Sequence, residues 1–168
     1  MLNRALRISR ELTRILTSDQ DGQNWVITHG QFSVVITIGA EDNVFYRLLG
    51  AKCLKCRFKK GVSARWDVKG VNIKPDDWKG DIIFDSIDIK NGKARAVGNQ
   101  GASDVVLLNT PSGLTFVETT GSGNMIFTTV FPLYKPGTHD YCAVMSRHMN
   151  LITAPLPSQY YGTCRVWE

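Results

Sequence analysis

No apolar run in this chain approaches the ~20 residues that a membrane-spanning helix requires; the longest clear one covers residues 34–38. A secretory leader is missing from the start, because arginine interrupts the N-terminal apolar residues every three or four positions. There is no Asn-x-Ser/Thr acceptor either, since Pro111 stands where Asn109-Thr110 would need Ser or Thr. These absences favour an intracellular, cytoplasmic protein.

Several chemical motifs are also missing. Gly98-Asn99-Gln100-Gly101 and Gly121-Ser122-Gly123 join strands rather than opening a helix, so there is no phosphate cradle. Asp76, Asp77, Asp81, Asp85 and Asp88 do not have the spacing of a calcium loop. Nothing RNP-like accompanies the basic residues and the net charge is only +5, which argues against nucleic acid as a partner. Cysteine is limited to Cys53, Cys56, Cys142 and Cys164. The C-x-x-C at 53–56 has no second knuckle to complete a zinc site and no following helix for thioredoxin-type chemistry. In a strand its two thiols would also point to opposite faces. Four free structural cysteines in a reducing compartment are expected, with neither metal nor cofactor.

What the chain does contain is an ordinary globular composition, 43% hydrophobic and 21% charged, with its charge unevenly placed. Residues 52–69 carry seven cations (Lys52, Lys55, Arg57, Lys59, Lys60, Arg65, Lys69) against Asp67. Residues 1–17 form an amphipathic helix by periodicity. Leu2, Ala5, Leu6, Ile8, Leu12, Ile15 and Leu16 share one half of the wheel; Arg4, Arg7, Arg10 and Arg14 share the other. Such a helix docks on a β-structure, lies on an anionic membrane with the 52–69 patch, or serves as a mitochondrial address; docking on a barrel end is the reading adopted.

Beyond residue 22 the pattern is β. Strands are expected at 25–39, 44–49, 51–58 and 62–71, followed by a loop through Pro75, Asp76, Asp77 and Gly80. From 82 to 131, three hairpin signals at Asn91-Gly92, Pro111-Ser112-Gly113 and Gly121-Ser122-Gly123-Asn124 separate short alternating segments, which makes an antiparallel meander. The strands continue to the C-terminus without intervening helices. The expected fold is a single all-β domain: an up-and-down β-barrel over 22–168 with the N-terminal helix, or alternatively a two-sheet β-sandwich.

The layout resembles the lipocalin and fatty-acid-binding (calycin) barrels. Gly22-Gln23-Asn24-Trp25 is close to that group's first-strand Gly-x-Trp with one residue added, and Thr138-His139-Asp140-Tyr141 is close to its late Thr-Asp-Tyr turn with one inserted. The resemblance implies an interior cavity for an apolar ligand and an arginine, Arg147 or Arg165, packed across Trp25. In the strand at 125–131, Met125, Phe127, Thr129 and Phe131 share a face suited to lining such a cavity. Arg147 is suited to a buried polar anchor or an anionic head group.

Catalysis finds little support. Ser146 and His148 would stand about 6.5 Å apart on one strand face, too far for a direct hydrogen bond. The leading expectation is non-enzymatic binding of a lipid or other apolar molecule, at a membrane surface in one version. A β-sandwich interaction module is the alternative, and a calycin-type isomerase or cyclase comes third.

Overall fold

In the computed structural model, residues 16–18, 24–29 and 32–37 are described as backbone, and residues 44–99, 101–150 and 154–167 with their side chains. The chain divides into two units, residues 1–43 and 44–168. In the first unit, β1 (Leu16–Ser18), β2 (Asn24–His29) and β3 (Phe32–Thr37) form an antiparallel sheet in the order β1-β2-β3, with Trp25 opposite Ser18 and Ile36. Of the expected N-terminal helix, residues 1–15, including Arg4, Arg7, Arg10 and Arg14, lie outside the described residues. Leu16 and Thr17, expected as the end of that helix, are instead extended and pair with Ile27 and Val26.

In the second unit, α1 (Val44–Gly50) precedes nine strands: β4 (Leu54–Asp67), β5 (Gly70–Asp77), β6 (Asp81–Asp88), β7 (Lys93–Gly98), β8 (Gly101–Thr110), β9 (Gly113–Thr119), β10 (Met125–Tyr134), β11 (Tyr141–Asn150) and β12 (Pro155–Val166). Every pairing is antiparallel between sequence neighbours, except that β4 meets both β5 and β6 and also closes on β12. The result is a closed eight-stranded up-and-down barrel with β5 as a ninth strand outside the ring. Closure removes the free edges that a meander of this length would expose.

Two local expectations are corrected. Residues 44–49, read as strand, are helical, and α1 seats the fully buried Leu48 against β9 and β10 at one end of the barrel. A six-residue apolar segment satisfies either period, and packing decides between them. Of the loop expected at 73–81, residues 73–77 belong to the paired strand β5, which tolerates Pro75 because its outer edge has no ladder partner among the described residues.

The interior is filled by side chains. Leu54, Leu114, Val130 and Met145 are all completely inaccessible, and Phe84 stacks on Phe116 with centroids 4.0 Å apart. The seam between β4 and β12 is held covalently: Cys56 and Cys164, paired in register, form a disulfide across 108 residues. This corrects the expectation of four free thiols, since register between distant strands is not visible in cysteine spacing. Cys53 and Cys142 are free. At the same seam a Cβ on Gly162 would meet the carbonyl oxygen of Arg57 and the Cα of Phe58, so only glycine allows the two strands this approach.

A bulge in β4 determines what lies at the other end. Tyr161 pairs with Lys60 but Gly162 with Phe58, which leaves Lys59 unpaired. Before the bulge Leu54, Cys56 and Phe58 point inward. After it the phase inverts, and Gly61, Ser63 and Arg65 continue the inner face while Val62, Ala64 and Trp66 turn outward. Beyond the ring, β4 and β5 continue together as a two-stranded ribbon.

Candidate functional site

The mouth opposite α1 is built where the ribbon leaves the barrel. Tyr160 of β12 stands opposite Gly61 of β4, which in turn stands opposite Asp76 of β5. A Cβ on Gly61 would run into the Tyr160 ring, so its absence lets that ring cross the strand. The Tyr160 hydroxyl then donates to Asp76 Oδ2 at 2.6 Å. Burial, followed by this bond to a carboxylate, pushes the phenol's pKa up, while Ser158 and Arg147 act in the opposite direction.

Trp78, in the short break between β5 and β6, packs its ring 5.5 Å from Tyr160. Arg147, on β11 between Ile126 and Ser158, places its guanidinium carbon 5.1 Å from the Trp78 ring centre, a cation–π arrangement. Arg147 forms no ion pair among the described residues. Its Nε and the Trp78 Nε1 are both shielded from solvent, and neither has a hydrogen-bond acceptor among the described residues. Two adjacent buried N–H donors without acceptors are exceptional, because such groups are normally paired.

The inner face of the ribbon adjoins this cluster through the Ser63–Ser158 pair. Ser63, Arg65, Asn72 and Lys74 line a groove of about 490 Å³ there, with Trp66, Asp67 and Pro75 at its border. A broader depression of about 710 Å³ lies at the opposite end, between α1 and Trp167, with Arg47, Lys52 and Cys53 at its border. Burial and the nearby Asp85 charge push the Cys53 thiol pKa up.

The remaining predicted residues are dispersed. Met125, Phe127, Thr129 and Phe131 do not line the interior. They face outward from β10, while Ile126, Thr128 and Val130 point in; Phe127 meets the His148 ring at 5.3 Å and Thr129 bonds to Thr115 at 2.9 Å. Trp25 is in β2 and its side chain is outside the described residues, as is any packing of Arg147 or Arg165 across it. Among described side chains Arg147 packs on Trp78, and Arg165 contacts Asp140 at 3.4 Å. No hydrogen bond joins Ser146 to His148 among the described residues, and no cluster of His, Cys, Asp and Glu suited to a metal occurs among them. In the basic patch, Lys55 and Arg57 both engage Asp81, which holds that carboxyl far below the usual carboxylate range. Sequence reading missed Trp78, Asp76, Ser158 and Tyr160; the one available signal was a tryptophan inside an otherwise acidic, loop-like segment.

Comparison of the chain with family models, with characterised proteins and with solved structures finds no match in any of the three. Among the described residues no helix is long and apolar enough to cross a membrane.

Proposed function

We propose that the chain is a non-enzymatic binding module that takes the acidic head of a small amphiphile, a carboxylate or phosphate on an apolar body, at the open mouth of its barrel. The observation that carries this reading is the pair of unsatisfied donors, Arg147 Nε and Trp78 Nε1. Leaving a buried donor without a partner costs about 1–3 kcal/mol, and an anionic ligand oxygen would offset that at both. The guanidinium fork matches carboxylate and phosphate geometry, and it pairs with no carboxylate among the described residues.

Arg65 and Lys74 add positive potential along the adjoining groove. The filled interior favours a ligand body lying in that groove rather than deep in the barrel. Kinship with the calycin barrels belongs to the same proposal and is supported by the closed eight-stranded meander. The Cys56–Cys164 bridge favours an oxidising compartment over the cytoplasm.

Displacement of a fluorescent fatty acid from the full chain tests the reading. Micromolar binding is expected, weakened about tenfold or more by Arg147→Ala through the lost charged hydrogen bond. Trp78→Phe, which keeps the ring and removes only the N–H, should weaken it severalfold. Absence of probe binding, or binding indifferent to Arg147→Ala, overturns the proposal.

A further inference from the structure

The ribbon's outer face poses a separate question. In register, Val62 stands opposite Pro75, Ala64 opposite Ile73 and Trp66 opposite Val71, so six apolar residues share one surface. No other element of its own unit covers it: Trp66 is 54%, Val71 57% and Ile73 64% exposed, and Val68 at the turn is entirely so. The bulge at Lys59 is what turns this surface outward; without it the alternation begun at Leu54 would carry Val62, Ala64 and Trp66 to the inner side. A contiguous exposed apolar patch flanked by polar residues marks an interaction surface.

We infer that the tip and outer face of the β4–β5 ribbon dock on an anionic phospholipid surface. Charge favours this occupant. Lys59, Lys60 and Lys69 lie along the ribbon and its tip, with Arg65 and Lys74 on its inner side; all five are exposed and form no ion pair among the described residues, against Asp67, Asp76 and Asp77. Lys69 adjoins Val68 at the tip, where a cation would reach head groups as the valine enters the acyl boundary. Tryptophan flanked by aliphatic residues and lysine has the chemistry of an interfacial anchor. A protein partner fits less well. Strand addition to β5 is opposed by Lys74 and Pro75 on its free edge. Six apolar residues are also far fewer than the roughly 20–30 that each side of a stable protein interface contributes. The inference does not require the mouth ligand, because it turns on Trp66, Val68, Val71 and Ile73 rather than on Arg147 and Trp78, although Trp66 and Pro75 also border the inner groove.

The test uses the full chain with phosphatidylcholine vesicles, with and without phosphatidylserine, carrying brominated acyl chains that quench nearby tryptophan. Quenching is expected on phosphatidylserine vesicles, falling steeply with added salt. Trp66→Phe keeps the apolar bulk, so the chain should still sediment with the vesicles while the quenching disappears. Val68→Asp with Ile73→Asp should abolish the Trp66 quenching without changing the melting temperature, since both residues project from the barrel. Arg147→Ala should leave quenching intact, which separates this result from failure of the mouth reading. No quenching on either vesicle, or quenching that persists in Trp66→Phe, overturns the inference. So does a dimer in solution that Val68→Asp with Ile73→Asp converts to monomer, because the face would then belong to a second copy.

Discussion

Tyr141 is almost wholly buried, and its hydroxyl lies 3.5 Å from that of Tyr134. Desolvation, assisted by that neighbour, holds the phenol neutral well above the ordinary tyrosine value of about 10. The unfolded chain ionises first, so this residue's contribution to stability is complete below pH ~10 and is lost as pH rises toward the folded value. Urea midpoints measured between pH 9 and 11 (about one unit either side of the unfolded value) should therefore fall with pH. The fall should be shallower in Tyr141→Phe. Phe116 makes a different contribution. It stacks on Phe84 among fully buried side chains, and Phe116→Ala should cost about 3–5 kcal/mol, lowering the calorimetric melting temperature by on the order of 10 °C.

Among the elements, the barrel seam is the most sensitive to a single added carbon. Gly162→Ala forces its methyl against the β4 backbone, which cannot rotate away as a side chain could. It should destabilise the fold by about 1–3 kcal/mol in chemical denaturation. The same elements show how far the sequence could be read. The hairpins at Asn91-Gly92 and Gly121–Asn124 were legible because their turns demand particular residues locally. α1 was not, because 44–49 fits either period and only the fully buried Leu48 resolves it. The face of β10 was not legible either: Met125 and Phe127 alternate as cleanly as Ile126 and Thr128, and only the partners Met145 and Phe116 of Thr128 reveal which set is inside. Arg147 could be singled out as an isolated charge in an apolar strand. Its companions Trp78 and Tyr160 come from segments far apart in the chain and meet only through closure of β4 on β12.

At the scale of the whole molecule, the barrel is a long-range structure, since β4 at its beginning closes on β12 at its end. The Cys56–Cys164 bond spans nearly all of it, enclosing 108 residues. In the chain-entropy account, cross-linking a loop of about 100 residues stabilises by as much as ~4.7 kcal/mol. Unfolding in urea with and without reductant, and in the Cys56→Ala/Cys164→Ala variant, should show a loss of a few kcal/mol. A bridge made after closure would also report that folding had been completed. The two cysteines come from β4 and β12, the first and last strands of the ring, and this has a mechanical consequence. Tension applied to the two ends of the chain passes from Cys56 directly to Cys164, and the loop of strands between them carries none of it. Pulled while oxidised, the barrel should stay silent in a single-molecule trace. Pulled after reduction, it should yield and release roughly 370 Å of contour, the reach of 108 extended residues.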